Sequence, residues 1–139
     1  MVGIVVVSHS ERAAEGIAEI AAEMAGDTRI EPVGGDGKGG IGTVPDAIED
    51  AIDAAAGTRG ENGKEESDGD ADGVVVLVDL GSAVMNADVA VELSDAEAVI
   101  ADAPVLEGAV NAAVAATDPS ATVESVREQA EAARDIEKL

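Results

Sequence analysis

Apolar residues along the chain follow two patterns, one typical of buried strands and the other of amphipathic helices. Residues 2–7 and 73–78 are almost uninterrupted apolar runs rich in valine, which predicts strands buried on both faces of a parallel sheet. Residues 28–33 and 98–101 predict two further strands, of which the last is short and weak. Elsewhere apolar residues recur every three or four positions, which predicts helices, among them a helix of small residues at 105–116.

The alternation of strands and helices predicts the fold class. We expect an α/β fold, doubly wound, with a mainly parallel sheet of about four to five strands and helices on both faces. A length of 139 residues fits one domain, residues 1–139. Residues 57–72 contain glycine, charge and no apolar residue larger than alanine, which predicts a flexible acidic insertion. A strand follows at once, so this insertion is not a domain boundary.

The first helix is expected to begin near Glu11 and to end at Gly26. Its N-cap is either Ser10 alone or Ser8 together with Glu11. One face should pack on the core, because its apolar residues are spaced by four, three and four positions. The residues of this predicted face are Ala13, Ile17, Ile20 and Met24.

Two later helices can be predicted in similar detail. The second should begin with Thr43 as its N-cap, Pro45 in its first turn, and Asp46 where a carboxylate favours the helix dipole. The last helix should run from about residue 122 to residue 138. Its predicted inward-facing residues are Val123, Val126, Ala130 and Ala133.

Three segments rich in polar residues or glycine follow the predicted strands directly. Residues 8–10 follow the first strand, the glycine-rich residues 34–42 follow the second, and residues 79–86 follow the third. In a doubly wound sheet, ligands bind beyond the carboxyl ends of the strands, where the strand order reverses. We therefore expect these three segments to meet and to form the functional site.

His9 is the only histidine of the chain and the first candidate for chemistry. A neutral imidazole nitrogen is a nucleophile toward phosphorus near neutral pH. If the first and third strands are neighbours, Asp79 can accept a hydrogen bond from one ring nitrogen and direct the other, as the acid of a catalytic triad does. Judged from these residues alone, His9 could equally be an inert loop histidine. Asp79 could equally be the cap of the helix that follows it.

The glycine-rich segment offers backbone N–H groups to an anion, because successive turns can form a nest. It matches neither the P-loop nor the dinucleotide fingerprint, and a flexible linker is an equal alternative. Lys38 can help to hold a phosphoryl group, but a solvated charge is the simpler interpretation; Ser82 can instead cap the next helix. The residues assigned to phosphate or partner binding are Ser10, Gly39, Gly40, Thr43, Gly81, Ser82, Met85 and Asn86.

The charge of the chain narrows its partners. Lysine and arginine number 8 against 30 aspartates and glutamates, which gives a formal net charge of −22. Such a surface repels nucleic acid and anionic membranes, so we expect neither as a partner. At molar salt the screening length falls to about 3 Å, which relieves self-repulsion. We interpret the composition as adaptation to the salt-rich cytoplasm of a halophile, with an acidic protein of an ordinary cell as the alternative.

The sequence also bears on metal binding and on cellular location. One histidine and no cysteine leave no ligand set for a transition metal, and residues 65–72 lack the calcium-loop pattern, so we expect no metal. No targeting signal precedes the first apolar run, which is too short to span a bilayer. This predicts a cytoplasmic location.

Four segments, taken in order, resemble a known family. They are residues 3–10 (GIVVVSHS), 39–43 (GGIGT), 79–86 (DLGSAVMN) and 106–109 (LEGA). Together they resemble the phosphotransferase subunit of the phosphoenolpyruvate-dependent dihydroxyacetone kinase, which is related to the mannose-type IIA domains of the bacterial sugar phosphotransferase system. The resemblance spans essentially the whole chain apart from residues 57–72.

The resemblance implies a mechanism and a set of partners. Histidine phosphocarrier protein is expected to donate a phosphoryl group to His9, which passes it to ADP held by the nucleotide-binding subunit of the kinase. The ADP/ATP thus belongs to the partner subunit, and no cofactor is bound permanently to this chain. The resemblance also implies a homodimer and an enzyme subunit of glycerol metabolism that is active only with its partner subunits.

Two other functions stay open at this point. The first is the IIA component of a mannose-type sugar phosphotransferase system, whose third motif usually carries adjacent glycines followed by Ser-Pro. Residues 81–83 are Gly-Ser-Ala here, which favours the kinase subunit. The second is a non-catalytic α/β regulatory module that binds a nucleotide through the glycine-rich segment.

Overall fold

The computed structural model describes residues 1–57 and 72–139, which form a four-stranded parallel sheet with helices on both faces. The strands are β1 (Val2–Ser8), β2 (Ile30–Gly34), β3 (Gly73–Val78) and β4 (Ala98–Ile100), in the order β2-β1-β3-β4. The predicted α/β class, parallel sheet and strand positions are confirmed. The predicted flexible insertion lies, apart from Gly57 and Asp72, outside the described residues.

Within residues 1–57 and 72–139, five helices pack against the two faces of the sheet. They are α1 (Glu11–Ala22), α2 (Pro45–Ala56), α3 (Val84–Leu93), α4 (Val105–Ala116) and α5 (Val123–Glu131). Helices α1, α4 and α5 share a core cluster on one face, and α2 and α3 share a second cluster on the other. Short 3-10 turns precede α3 at Gly81–Ala83 and follow α5 at Ala132–Asp135.

Strand β1 is central because its side chains fill both cores. Ile4 and Val6 belong to the cluster under α1, α4 and α5, whereas Val5 and Val7 belong to the cluster under α2 and α3. All four side chains are fully buried. Such continuous burial explains why the strand is an unbroken run of β-branched residues instead of an alternating one.

The predicted inner face of α1 is wrong except at Ile17, which packs against the core. The helix buries Ala14, Ala18 and Ala21, whereas Ile20 and Met24 are about half exposed, at 50% and 52%. Alanines at this four- and three-residue spacing let the helix backbone approach the sheet and α4 closely, and the larger side chains then lie outside the contact. The N-cap is Ser10, whose hydroxyl accepts a hydrogen bond from the Ala13 backbone N–H at 3.2 Å.

The predicted N-cap of α2 is also wrong. Val44 occupies that position without a side-chain cap, and Pro45 follows it in the first turn. Proline has no N–H, so the first turn has one unpaired donor fewer. The Thr43 hydroxyl is used elsewhere, because it accepts a hydrogen bond from the Asn86 side chain at 2.7 Å.

Helix α5 begins where predicted and ends earlier. Thr122 and Ser125 form a capping box at its start, and Val123, Val126, Ala130 and Ala133 are buried as predicted. The regular helix stops at Glu131 and tightens into the 3-10 turn. There the Arg134 side chain donates to the Glu131 carbonyl at 3.2 Å and to the Asp102 carboxylate at 3.2 Å, outside the helical ladder.

The strand order places the functional segments together. The chain passes from β1 to β2 on one side, then returns to β3 on the other side of β1. Val7 of β1 pairs with Val78 of β3, so the residues that follow these strands emerge side by side. This is the switch point at which doubly wound sheets bind their ligands.

Candidate active site

His9 and Asp79 meet at the carboxyl ends of β1 and β3. The Asp79 backbone N–H donates to the Val7 carbonyl at 3.0 Å, which extends the strand pairing by one residue. The His9 Nδ1 lies 3.0 Å from Asp79 Oδ1, and the His9 backbone N–H donates to Asp79 Oδ2 at 3.0 Å. The two side chains are 20% and 19% exposed, so the pair is shielded but reachable. The structure thus places the predicted pair in direct contact.

Ser8 lies in the segment that was expected at the site, but the sequence reasoning missed its role there and weighed it only as a cap of α1. Its hydroxyl donates to Asp79 Oδ2 at 2.9 Å and accepts a hydrogen bond from the Ser10 backbone N–H at 3.1 Å. Ser8 is only 2% exposed. A serine that ends an otherwise apolar buried strand is the signal that was available, because a buried hydroxyl requires a partner.

The Asp79 carboxyl is held in its ionised form. Burial raises its pKa, but hydrogen bonds from the His9 backbone N–H, the His9 ring and the Ser8 hydroxyl lower it by more, so that the pKa lies below the ordinary value of 3.8. An ionised carboxylate can only accept hydrogen bonds. The Nδ1 atom of His9 must therefore carry the proton, and in the neutral ring Nε2 keeps its lone pair.

Ser82 faces that free nitrogen. Its hydroxyl lies 2.9 Å from His9 Nε2, and Nε2 is the acceptor because Nδ1 is the donor toward Asp79. Ser82 is an exposed residue of the 3-10 turn before α3. A hydroxyl rotates freely about its bond, so it can leave the nitrogen and donate to another acceptor that arrives there.

The glycine-rich segment is tied to the site through its backbone. The Gly42 N–H donates to the His9 carbonyl at 2.9 Å. At its start, Gly34 permits a close approach of chains, since a Cβ there would lie 2.4 Å from the Ser8 carbonyl oxygen and 2.8 Å from that of Ser10. Any side chain at this position would push β2 away from the residues that flank His9.

The anion that the glycine-rich segment holds is its own Asp36. The Asp36 Oδ1 atom accepts hydrogen bonds from the Lys38 and Gly40 backbone N–H groups at 2.7 and 2.9 Å. These two bonds lower the pKa of Asp36 below its ordinary value. The Gly40 N–H is therefore engaged in this conformation, and phosphate binding by Gly39 and Gly40 stays a prediction.

The other predicted residues surround the site in different ways. The Asn86 side chain donates to the Thr43 hydroxyl at 2.7 Å and to the Thr43 carbonyl at 3.3 Å, which braces α3 against the segment that leads into α2. The Ser10 hydroxyl is used as the cap of α1. Gly81 and Met85 are exposed on either side of Ser82. Their roles in binding remain predictions.

Large apolar side chains stand exposed next to these polar groups. Ile41 precedes Gly42 in the glycine-rich segment, Leu80 follows Asp79, and Met85 lies in the first turn of α3; all three are more than half exposed. Within residues 1–57 and 72–139, no helix is both long and apolar enough to cross a membrane.

Comparison with known proteins places these features in a family. The family model described as the PTS system fructose IIA component matches residues 3–127. The chain is 37% identical over 129 residues to the phosphotransferase subunit DhaM of the PTS-dependent dihydroxyacetone kinase of Lactococcus lactis, with 93% of each chain covered. It is 40% identical over 119 residues to the phosphoryl donor subunit DhaM of PEP-dependent dihydroxyacetone kinase 2 of Listeria innocua, which covers 82% of this chain and 85% of that one.

A longer relative and a solved structure extend the comparison. The phosphoryl donor subunit DhaM of Escherichia coli is 35% identical over 124 residues, which are 84% of this chain and 24% of that protein. The crystal structure of a protein of unknown function superimposes with a TM-score of 0.73 at 26% identity, covering 94% of this chain and 92% of that one.

Proposed function

Because this chain belongs to the family of the PTS system fructose IIA component, we propose that it is the phosphohistidine carrier subunit of a dihydroxyacetone kinase. His9 accepts a phosphoryl group from histidine phosphocarrier protein and transfers it to ADP bound in the nucleotide-binding subunit. One observation carries the proposal: the His9 ring is held between Asp79 and Ser82 at the carboxyl end of the sheet, with Nε2 toward the exposed Ser82.

The geometry supports Nε2 as the nucleophile. Its lone pair forms the new N–P bond while the N–P bond of the donor breaks, and the donor's ring nitrogen keeps the electron pair. No proton has to leave His9, because the proton stays on Nδ1 between the ring and Asp79. The ionised carboxylate stabilises the positive charge that the ring gains during transfer.

The second step, transfer of the phosphoryl group from His9 to ADP, uses the same nitrogen atom. An oxygen of the β-phosphate of ADP attacks phosphorus, the N–P bond to Nε2 breaks, and the lone pair returns to the ring. Since ADP is already an anionic nucleophile, this chain needs no general base for the step. Its task is to hold the ring in one orientation, which Asp79 and the buried Ser8 accomplish together.

A phosphoryl group has to be tolerated on a protein whose net charge is −22. The favourable contacts are local, because the rotatable Ser82 hydroxyl lies within reach and His9 directly precedes the N-cap of α1. The acidic surface acts over longer distances, where salt screens it. The short-range donors therefore dominate.

A second candidate is the IIA component of a sugar phosphotransferase system, which the description of the family itself favours. It shares the first step and differs in the acceptor. The DhaM relatives and the Gly-Ser-Ala sequence at residues 81–83 support the kinase. A nucleotide-binding regulatory module is less well supported, because Asp36 occupies two N–H groups of the segment that would bind the nucleotide.

An experiment on the purified chain separates these functions. The chain is incubated with phosphorylated histidine phosphocarrier protein, and its intact mass is measured before and after ADP-loaded nucleotide-binding subunit is added. We expect a gain of one phosphoryl group, acid-labile and base-stable, followed by its loss and the formation of ATP. Retention of the group with the kinase subunit, but loss to sugar permease components, would favour the second candidate.

The homodimer, the cytoplasmic location, the role in glycerol metabolism and the halophilic source stay predictions. The last is open to a simple measurement, since repulsion among charges summing to −22 should make the melting temperature higher in molar KCl than at low salt. Equal melting temperatures would argue for an acidic protein of an ordinary cell.

A further inference from the structure

Asp79, His9 and Ser82 form a continuous line of hydrogen bonds at the carboxyl end of the sheet. Asp79 Oδ1 lies 3.0 Å from His9 Nδ1, and His9 Nε2 lies 2.9 Å from the Ser82 hydroxyl oxygen. Because Nδ1 carries the proton toward the carboxylate, Nε2 accepts the second hydrogen bond and the Ser82 hydroxyl donates it. Carboxylate, imidazole and hydroxyl thus stand in the same order, and in the same protonation states, as in the Ser-His-Asp triad of serine hydrolases.

The sequence alone does not reveal this arrangement. Residues 80–84 are Leu-Gly-Ser-Ala-Val, which lack the Gly-x-Ser-x-Gly motif of α/β-hydrolases. Along the chain the order is histidine, aspartate, serine, which is also the order of a known hydrolase triad. Such triads recur on unrelated folds and are recognised by their geometry instead of their sequence position.

The Ser82 hydroxyl has no chemical step in the proposed phosphoryl transfer, in which the lone pair of Nε2 is the nucleophile. When no phosphoryl group is bound, Nε2 is a base in contact with this hydroxyl. A serine hydroxyl is a weak nucleophile until an adjacent base takes its proton. Ser82 is exposed, so a substrate can reach its oxygen from solvent.

We propose that Ser82 is an activated nucleophile, with His9 as its general base and Asp79 as the residue that positions the base, and that the chain transfers acyl groups from small uncharged esters to Ser82 and then to water. A net charge of −22 disfavours anionic esters. The exposed side chains of Leu80 and Met85, before and after Ser82, favour apolar acyl groups. This activity does not depend on the proposed function.

The reaction has two steps that use the same three side chains. In the first, Ser82 Oγ attacks the carbonyl carbon as its proton moves to Nε2; the bond to the leaving alcohol then breaks, and that oxygen takes the electron pair and the proton. In the second, water attacks the acyl carbon and gives a proton to Nε2, and the Ser82 oxygen leaves with that proton. Gly81 and Ser82 open the 3-10 turn, where the first N–H groups have no partner within the turn and can donate to the developing oxyanion.

Labelling with a neutral fluorophosphonate tests the activation of Ser82 directly. The Ser82 oxygen forms a stable bond to phosphorus, fluoride leaves with the electron pair, and the serine proton passes through Nε2 to solvent. We expect one label per chain, located on Ser82 by peptide mapping and absent from Ser82→Ala. Ser120→Ala is the matched control, because Ser120 is also exposed but its hydroxyl donates to the Asp118 carboxylate at 2.8 Å instead of an imidazole.

The dependence on His9 and Asp79 separates an activated serine from an ordinary one. Labelling should be slower by at least about a hundredfold in His9→Gln and in Asp79→Asn, the scale on which a general base and its orienting partner contribute. Hydrolysis of p-nitrophenyl acetate should depend on Ser82, His9 and Asp79 in the same way. Circular dichroism checks that each variant is folded.

Several results would overturn the proposal. An unlabelled wild type, or a label that His9→Gln acquires at the wild-type rate, would show that Ser82 is not activated. Ester hydrolysis that is unchanged in Ser82→Ala would make the imidazole itself the nucleophile. Phosphorylation of His9 occupies Nε2, so equal labelling of the phosphorylated and unphosphorylated chains would also contradict the proposal. A chain that the carrier protein does not phosphorylate would refute the proposed function, whereas the labelling of Ser82 would still decide this one.

Discussion

Asp79 and Asp36 follow β3 and β2, the strands on either side of β1, at the carboxyl end of the sheet, and both carboxylates accept backbone hydrogen bonds that lower their pKa. Their surroundings differ. Asp79 is largely buried and its hydrogen-bond donors include the His9 ring, whereas Asp36 is exposed and binds N–H groups of its own loop. The comparison teaches that a low carboxyl pKa marks a functional group only when one of its donors can do chemistry.

The largest effect on phosphoryl transfer is expected from substitution of His9, the hydrogen-bond donor that distinguishes Asp79 from Asp36. His9→Gln removes the nucleophile, so phosphate uptake from the phosphorylated carrier should be abolished while the fold is retained. Intact mass after incubation measures the uptake, and circular dichroism checks the fold. Undiminished labelling of this variant would remove His9 from the reaction altogether.

Asp79→Asn should have the next largest effect. The amide cannot supply the negative charge that orients and stabilises the ring, and its NH₂ group can point at Nδ1 and favour the wrong tautomer. We expect transfer slower by roughly 10²–10⁴-fold, the range typical of acid–base and orienting groups. Rapid-quench measurement of phosphohistidine formation tests this, and wild-type kinetics would contradict the orienting role.

Ser8→Ala tests whether the second oxygen of Asp79 has to be anchored. The variant loses a hydrogen bond to an ionised group, a contribution of about 1.5–3 kcal/mol. We expect phosphoryl transfer to be slower by about tenfold, because only part of this free energy is lost from the stabilisation of the transition state. Ser8→Thr keeps a hydroxyl and is the matched control. Equal rates for the alanine and threonine variants would show that the hydroxyl is dispensable.

The pH dependence of unfolding should also distinguish Asp79 from its amide. Because the pKa of Asp79 is lower in the folded state than its ordinary value of 3.8, ionisation stabilises the fold above that value, and the stabilisation is lost as pH falls through the folded pKa. The free energy of unfolding of the wild type should thus fall more steeply with acid than that of Asp79→Asn. Parallel pH curves from denaturant titrations would contradict the hydrogen bonding described here.

Among these substitutions, Asp36→Asn should have the smallest effect on phosphoryl transfer. The asparagine side chain retains an oxygen that can accept from the Lys38 and Gly40 N–H groups, so the loop should keep its shape. We expect transfer rates within about twofold of the wild type, since this carboxylate bonds to its own loop instead of the imidazole. A loss as large as that of Asp79→Asn would place the glycine-rich segment in the reaction.

The sequence was sufficient to predict the parts of the fold that depend on long apolar runs and on topology. Strands at residues 2–7 and 73–78 are buried on both faces, and the neighbourhood of β1 and β3 brings His9 to Asp79. The prediction of this contact was conditional on β1 and β3 being neighbours, and the structure shows that they pair. That ligands bind where the strand order reverses is a general rule of doubly wound sheets, which needs no side-chain detail. This is why the central pair could be predicted.

Features that depend on packing distance and on competition for hydrogen bonds could not be predicted. Periodicity alone favoured Ile20 and Met24 as core residues of α1, but the alanines pack more closely. Thr43 was predicted as the N-cap of α2, but its hydroxyl accepts a hydrogen bond from the Asn86 side chain instead. Ser8 and Asp36 each have a choice of partners that only the folded backbone decides.

The central claim is that Asp79 holds the proton on Nδ1 and leaves Nε2 of His9 free to bond to phosphorus. The most direct test is nitrogen-15 NMR of the phosphorylated chain with labelled histidine, which detects the coupling between phosphorus and the ring nitrogen. We predict that the coupling is to Nε2 and that Nδ1 keeps its proton. Coupling to Nδ1, or a phosphorylated protein whose single histidine carries no phosphorus, would contradict the account.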